Sequence, residues 1–155
     1  MFHRRKQSSL FFFAILVLAL VGYYFFKFEY KNLRESYTRT SMVLYSDLYE
    51  LLVADTPQKR QQGLSGREKL LPNTGMFFKF DTLEQQGIWM KDMNFSIDIL
   101  WLDENCKAVA FKSASPDSYP ETFTPKVPAL YVVELPVGSI ASEVEIGDQF
   151  VCPKI

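Results

Sequence analysis

Two acidic residues lie in stretches of the sequence that are otherwise apolar, and they are the residues most able to carry chemistry. Asp98 lies in SIDILWL and Glu134 lies in LYVVELP. Successive side chains of a strand face opposite sides of a sheet, and both sides of each stretch are apolar, so both are predicted to be strands covered on each face. An unpaired buried charge costs several kcal/mol. Each carboxylate must therefore gain a cation, accept hydrogen bonds, become protonated or reach water.

The period of two assigns the side chains of both stretches to faces. The first stretch alternates between two sets: Ile97, Ile99 and Trp101 on one face, and Asp98, Leu100 and Leu102 on the other. The second stretch alternates in the same way: Tyr131, Val133 and Leu135 against Leu130, Val132 and Glu134. Each carboxylate is thus predicted to lie among large apolar side chains.

Basic and aromatic residues are the expected neighbours of these carboxylates. Lys91 is the first candidate partner, because only a turn separates it from Asp98 in the sequence. We expect a cleft for a small polar ligand, with Trp89 or Trp101 as a flat wall and with at least one of these two tryptophans buried in the core. The candidate residues of this cleft are Arg60, Arg67, Lys91, Asp98, Glu134 and Trp89. Alternatively, the same charges pair only to fix strand register and dock a helix.

The sequence excludes several kinds of catalytic site. Its only histidine is His3, so no histidine after it is available for nucleophilic catalysis or for metal binding. We predict neither a metal nor a cofactor. The enzymatic alternative is a hydrolase of carbohydrate or cell-wall material that uses Asp98 and Glu134 as acid and base. That chemistry requires the two carboxyl groups to lie about 5 to 10 Å apart, with shifted pKa values.

The N-terminal part of the sequence resembles a membrane anchor. Three basic residues, Arg4 to Lys6, precede a run of 17 uncharged residues from Leu10 to Phe26. A helix of that length covers roughly 25 Å, which is near the lower limit for crossing a bilayer. Because basic residues are retained on the cytoplasmic side, we expect a cytoplasmic segment (1–9), a transmembrane anchor (10–26), a stalk (27–48) and an extracytoplasmic globular domain (49–155). A cleaved signal peptide is the alternative.

The distribution of charge limits the possible binding partners, and the two cysteines are candidates for a cross-link. The first forty residues hold seven Lys and Arg against two Asp and Glu, and the remainder holds ten against sixteen. An acidic domain does not suit nucleic acid, so we expect the partners to be the lipid bilayer and a small polar ligand or an envelope protein. Cys106 and Cys152 are the only cysteines. In an exported domain they are candidates for a disulfide, with two unlinked thiols as the alternative.

Turn residues and periodicity give the order of elements in the domain. Asp55-Thr56-Pro57 and Gly63 predict a short helix over 57–62, and Ser65 begins a capping-box spacing that predicts a further helical turn. Strands are expected at 49–54, in the four runs 76–80, 87–91, 96–103 and 107–113, at 130–136 and finally at 148–152, with a proline-rich loop over 114–129. The predicted fold is α+β: a compact, β-rich domain with a mostly antiparallel sheet or a small, partly open barrel, one or two short helices, and a single transmembrane helix before it.

Several of these segments resemble a known family. They are Arg60 to Arg67, Gly75 to Phe78, Trp89 to Phe95, Ile97 to Ile99, Pro116, Tyr131 to Leu135 and Gly147-Asp148. Together they are similar to the bacterial and archaeal family named domain of unknown function 192, over about residues 49–151. Ile88 and Ser96 depart from the residues that the family often shows. The resemblance implies a compact, β-rich α+β domain that is frequently exported, and it implies no reaction and no catalytic residues.

These observations favour a membrane-anchored, extracytoplasmic accessory module that binds a small ligand or a partner in the cell envelope. The carboxylate-pair hydrolase is the alternative, and a purely structural envelope component is the third possibility. The distance and relative orientation of Asp98 and Glu134 distinguish the first two.

Overall fold

A computed structural model describes the backbone of residues 3–35 and 37–155 and the side chains of residues 12–28 and 37–155. The chain divides into two compact units, and the second of them begins at Tyr37.

The first unit is the helix α1 (His3–Glu35), which has 33 residues. Its described side chains, at positions 12–28, are all exposed. Among the described residues, no helix combines the length and the apolar character that crossing a bilayer requires. The side chains of the predicted cytoplasmic segment, residues 1–9, and those of the stalk from 29 to 36 lie outside the described residues.

The second unit is built on a six-stranded mixed sheet. Its elements in chain order are β1 (Thr38–Leu44), β2 (Asp47–Ala54), α2 (Pro57–Gln62), β3 (Thr74–Glu84), β4 (Ile88–Trp89), β5 (Ile97–Leu102), β6 (Ala108–Ala114), a 3₁₀ turn (Pro116–Ser118), β7 (Thr122–Phe123) and β8 (Ala129–Pro136). The strand order is β1-β2-β3-β8-β5-β6, and β4 pairs with β7 as a separate ribbon. Strands β2 and β3 are parallel, and the other neighbours in the sheet are antiparallel.

The sheet does not close into a barrel. Strands β1 and β6 form its two edges, and within residues 37–155 they do not pair with each other. The β-rich fold expected from the sequence is therefore confirmed as a mixed sheet that is not closed. The run from Gly87 to Lys91, which was expected to be a full strand, contributes only the two residues of β4.

The folded unit begins earlier than the sequence predicted. Residues 38–48 were assigned to a stalk, but they form β1 and the start of β2, which pair from Thr38 opposite Val53 to Leu44 opposite Asp47. Only Met42 and Leu44 of β1 are buried, and the other positions hold Ser, Thr, Arg and Val. An edge strand with two apolar anchors carries a weak pattern, which is why it was missed.

Local signals were correct for α2 and wrong for two other elements. The side chain of Thr56 caps α2 by accepting a hydrogen bond from the Lys59 amide, and Gly63 ends the helix at a φ of 50°. The second helical turn after Ser65 does not form, because Gly66 takes a φ of 69° and its amide bonds outside the segment. The strand expected at 148–152 is reduced to one bridge between Lys107 and Gln149.

Apolar side chains cover both faces of the sheet. The face that we call the α2 face carries Met76, Phe78, Ile97, Ile99, Trp101 and Val132. The opposite face, which we call the disulfide face, carries Phe77, Leu100, Leu102, Val133, Leu135 and Cys106. This division confirms the alternation predicted for β5 and β8.

The C-terminal tail covers part of the disulfide face. Cys106 and Cys152 form a disulfide whose Cα atoms are 5.5 Å apart. The rings of Tyr45 and Phe150 meet edge to face with centroids 5.5 Å apart, and the Tyr45 hydroxyl donates to Asp148 Oδ2 at 2.5 Å. A turn after β1 and the tail are thus attached to each other and to the sheet.

Candidate functional site

The two buried carboxylates lie on opposite faces of the sheet. Glu134 is aligned with Ile99 of β5 and with Met76 of β3, which both belong to the α2 face. Asp98 is aligned with Leu135, which belongs to the disulfide face. Directly opposed residues of an antiparallel pair point to the same side, so the sheet itself separates the two carboxyl groups. They do not form the acid and base pair that the hydrolase alternative requires.

Asp98 is buried and fully engaged by hydrogen-bond donors. Its Oδ1 accepts from the Ser113 hydroxyl at 2.7 Å, and its Oδ2 accepts from the Ile140 amide at 3.3 Å. The predicted partner Lys91 is exposed, and among residues 37–155 no ion pair includes Asp98. The expectation of a neutralising cation is therefore wrong, because two donors from β6 and the loop after β8 satisfy this carboxylate instead.

Glu134 has a different environment. It is 5% exposed, and within residues 37–155 no hydrogen-bond donor and no cation is bonded to its carboxyl group. Burial raises the pKa of Glu134 from 4.5 to about 8, because removal from water penalises the charged form. At neutral pH this side chain is mainly a neutral carboxylic acid, so its charge needs no partner. The predicted pairing of Glu134 with a basic residue is wrong for that reason.

The Glu134 carboxyl group opens into a cavity of about 270 Å³ on the α2 face. Its apolar lining consists of Leu64, Phe78, Phe80, Ile88, Trp89 and Met93. The other side chains that line it are Arg60, Gln61, Gln62, Ser65 and Glu134. The cavity is therefore largely apolar, with a single acid in its wall and one cation among its lining residues.

The two tryptophans have separate roles. Trp89 lies in β4, lines the cavity and is 45% exposed. Trp101 is buried in the core, and its Nε1 donates to the Gln86 carbonyl at 2.8 Å. Trp89 is thus the aromatic wall of the site, and Trp101 is the buried tryptophan that the sequence led us to expect.

Arg60 is held at the rim of the cavity by acceptors from other segments. Its Nη1 donates to the carbonyls of Asp55 at 3.1 Å and Lys79 at 2.6 Å, and its Nη2 lies 2.9 Å from the Asp81 carboxylate. The guanidinium also lies over the ring of Phe80, 5.2 Å from its centroid. The charge of Arg60 is therefore compensated by Asp81 and by backbone dipoles.

A set of three hydrogen bonds, which we call the clasp, joins the segment after α2 to the segment after β4. Ser65 Oγ donates to the Lys91 carbonyl, the Gly66 amide to the Asp92 carbonyl, and Asn94 Nδ2 to the Arg67 carbonyl, each at 2.8 Å. Gly66 and Asp92 both have positive φ values, 69° and 55°. The clasp fixes one wall of the cavity from two stretches that are distant in sequence.

The structure thus divides the six predicted site residues. It places Arg60, Trp89 and Glu134 around the cavity. Lys91 and Arg67 contribute their carbonyls to the clasp, and the Arg67 side chain lines a different depression beside Arg39 and Glu50. Asp98 lies on the disulfide face.

Sequence reasoning missed most of the apolar lining. Phe78 and Phe80 alternate along β3, so they share a face, and this period-two pattern was the available signal. Met93 and the glutamines at 61 and 62 carried no local signal, because their placement depends on the clasp and on α2. Among the described residues, no group of three His, Cys, Asp or Glu side chains is arranged to hold a metal ion.

A larger groove of about 1060 Å³ lies on another part of the surface, between β1 and the C-terminal tail. It is open, and none of the six residues predicted for the cleft lines it. Neither buried carboxylate lines it. We therefore take the smaller, more enclosed cavity as the candidate site.

The fold and the signature segments place this protein in an uncharacterised class. The chain belongs to the DUF192 family, whose model, described as an uncharacterized ACR family, matches residues 42–152. The chain is 38% identical over 101 residues to the UPF0127 protein TK1120 of Thermococcus kodakarensis, and 36% identical over 102 residues to a UPF0127 protein of Thermococcus sibiricus. These matches cover 62% and 63% of this chain, and 60% and 62% of the relatives. The chain thus spans less than two thirds of these curated relatives.

Two crystal structures share the fold. One, from Sinorhizobium meliloti 1021, is provisionally described as a transcription regulator; it is 29% identical with a TM-score of 0.64, and the match covers 74% of this chain and 94% of that one. The other, from Novosphingobium aromaticivorans, has no known function and is 21% identical with a TM-score of 0.63 over 75% of this chain and 85% of that one. The second likeness concerns the fold alone.

Proposed function

We propose that residues 37–155 form a binding module for a small organic molecule, and that the cavity on the α2 face is its binding site. The observation that carries this proposal is a largely apolar cavity lined by Glu134, a residue that is only 5% exposed and whose carboxyl group receives no hydrogen bond within residues 37–155. Ligand sites are typically concave and apolar, with a few polar groups that orient the ligand.

The lining revises the kind of ligand that the sequence suggested. A sugar needs several hydrogen-bonding partners, whereas six of the lining side chains are apolar. The volume of about 270 Å³ corresponds to roughly nine water molecules, which is below the usual range for drug-sized ligands. The proposed ligand is therefore a small molecule with an apolar body and a single polar group. It is less polar than the ligand that the sequence suggested.

A cavity-filling substitution tests the proposal. Met93→Trp places an indole in the cavity, so compounds from a library of small organic molecules that raise the melting temperature of the wild-type chain should fail to do so for the variant. Val43→Trp adds the same side chain at an exposed position of the edge strand β1 and should leave those responses unchanged. If the library stabilises the wild type and the Met93→Trp variant equally, the cavity is not the binding site.

We also propose that the module works outside the cytoplasm, attached to the bilayer by its N-terminal segment. Two sequence features support this location: the uncharged run from Leu10 to Phe26 after a basic start, and a pair of cysteines that form a disulfide. An envelope protein that receives or supplies the ligand is a compatible partner.

Trapping of thiols in living cells tests the location. The exported wild-type chain should have no thiol available to an alkylating reagent. A variant with Leu16→Arg and Leu18→Arg should remain in the cytoplasm with both cysteines alkylated, whereas Leu16→Ile and Leu18→Ile should behave like the wild type. Alkylation of both cysteines in the wild-type chain would contradict the proposed location.

The Sinorhizobium protein is provisionally described as a transcription regulator, which would suggest nucleic-acid binding. That function has less support in this chain. Residues 41–155 carry ten Lys and Arg against sixteen Asp and Glu. Phosphate backbones bind to surfaces with an excess of positive charge. We therefore retain the small-ligand proposal.

A further inference from the structure

The cavity contains an acid but no free cation to neutralise it. Strand β3 presents Met76 and Phe78 to Glu134 on this face, and β5 presents Ile99. Arg60, from α2, is the only other charged side chain among the described residues that line the cavity, and it is bonded to Asp81. An ionised Glu134 would therefore have to receive its counter-charge from a bound molecule.

The comparison with Asp98 shows that this arrangement is not general in the fold. Asp98 is also buried, but two donors satisfy it. Glu134 is 5% exposed, faces a cavity, and within residues 37–155 receives no hydrogen bond. A carboxyl group that receives no hydrogen bond and keeps only slight exposure at the wall of a cavity is a natural contact point for a ligand.

Aromatic rings surround the same space. Phe78, Phe80 and Trp89 line the cavity, and the guanidinium of Arg60 already lies 5.2 Å from the centroid of Phe80. The faces of aromatic rings attract cations, and tryptophan does so most strongly. An anionic ligand would be repelled by an ionised Glu134. The Arg60 guanidinium, which could otherwise attract an anion, is already compensated by Asp81 and two carbonyls.

We propose that the ligand of this cavity is a small organic cation, whose ammonium group pairs with the Glu134 carboxylate and lies against the rings of Phe78 and Trp89. This inference rests on the proposed function, because it names the chemical class of the molecule that the cavity binds. When the cation enters, the carboxyl proton of Glu134 leaves to bulk water and the charged pair remains in the cavity.

A matched pair of probes tests the charge requirement. Choline carries a quaternary ammonium group that does not titrate, and 3,3-dimethyl-1-butanol is its neutral carbon analogue with the same shape. Calorimetry on the full chain at pH 8.5 should show that choline binds at least tenfold more tightly than the alcohol. Glu134→Gln should weaken choline at least tenfold and change the affinity for the alcohol by less than about threefold.

The proton balance gives a second and independent measurement. The pKa of Glu134 is about 8, so choline affinity should rise about tenfold per pH unit between pH 5 and 7 and level off above pH 8. At pH 6.5, titrations in buffers of different ionisation enthalpy should show that close to one proton is released per choline bound. The Glu134→Gln variant should release none.

A third variant remains informative if Glu134→Gln does not fold. Trp89 is 45% exposed, so Trp89→Leu should fold normally and weaken choline several-fold more than the alcohol. The inference is overturned if the alcohol binds the wild type as tightly as choline, if choline releases no proton at pH 6.5, or if choline does not bind. The proposed function would be contradicted by a different result, in which the library compounds stabilise the wild type and the Met93→Trp variant equally.

Discussion

The two faces of the sheet each bury one acidic residue, but only one of the two carboxyl groups receives hydrogen bonds. On the disulfide face, Asp98 accepts hydrogen bonds from Ser113 and Ile140 and is not exposed to solvent. On the α2 face, Glu134 receives no hydrogen bond within residues 37–155 and adjoins a cavity of about 270 Å³. The burial of the two residues is similar, at 0% and 5% exposure, so burial alone does not distinguish them.

This difference separates a structural acid from a candidate functional one. Asp98 links β5 to β6 and to the loop after β8, and its bonds are complete without a ligand. Glu134 occupies a position where an apolar side chain would pack with its neighbours at lower cost. The disulfide face therefore holds the structural acid, and the α2 face holds the candidate site.

The largest effect is expected on the disulfide face. Replacement of Cys106 and Cys152 by alanine removes a cross-link between positions 46 residues apart, which should lower the free energy of unfolding by about 4 kcal/mol. Denaturant unfolding of the variant at pH 7 checks this value. A loss below about 1 kcal/mol would show that the tail contributes little to this face.

Removal of the Asp98 carboxylate should have the next largest effect. Asp98→Ala leaves the Ser113 hydroxyl and the Ile140 amide without their acceptor, and the expected loss of stability is about 3 kcal/mol. Lys91→Ala is the control: its exposed side chain should change stability by less than about 0.5 kcal/mol. If both variants lost about 3 kcal/mol of stability, the ion pair between Asp98 and Lys91 that the sequence suggested would be supported instead.

The pH dependence of stability should distinguish the two faces without any ligand. The folded chain holds a proton on Glu134 up to a pKa of about 8, while the unfolded chain releases it near the ordinary value of 4.5. Stability should therefore fall as pH rises from about 5 to 8, by about 1.4 kcal/mol per pH unit from this group.

Glu134→Gln should remove that slope. Asp55 and Asp148 do not contribute in the window, because their pKa values are lowered from 3.8 by hydrogen bonds from Lys59 and Tyr45 respectively. Denaturant unfolding of both proteins at pH 5.5, 6.5 and 7.5 measures the difference. Parallel pH profiles would show that Glu134 is not held neutral by the fold.

The smallest effect on stability is expected at the mouth of the cavity. Trp89→Leu removes an indole that is 45% exposed, so stability should change by less than about 0.5 kcal/mol. The melting temperature without ligand checks this expectation. A loss above 2 kcal/mol would mean that Trp89 supports the α2 face as core packing, and would remove the distinction between the two faces.

Much of the fold was accessible from local patterns. Helix α2 was predicted from a cap, a proline and a glycine, which act within a few residues of each other. Strands β5 and β8 were predicted because each is apolar on both sides. Strand β1 was missed, because it has only two buried apolar residues among polar ones.

The site was less accessible, because it depends on register. The alignment of Ile99 with Glu134 puts Asp98 and Glu134 on opposite faces, and a shift of one residue would put them on the same one. Nothing within SIDILWL or LYVVELP specifies that alignment. The clasp likewise joins donors and carbonyls that are about 26 residues apart in the sequence. Lys91 and Arg67 take part in it through their backbone carbonyls, whereas the sequence suggested that their charged side chains form the site.

The parallel arrangement of β2 and β3 has a consequence for how relatives can differ. The chain between these two neighbours must travel back along the sheet, and this return segment, with α2 in it, forms one side of the cavity. The other side comes from the loop around β4. Substitutions and changes of length in these two connections can reshape the cavity while strand pairing stays intact, so proteins that share this architecture can differ in the shape and chemistry of this cavity.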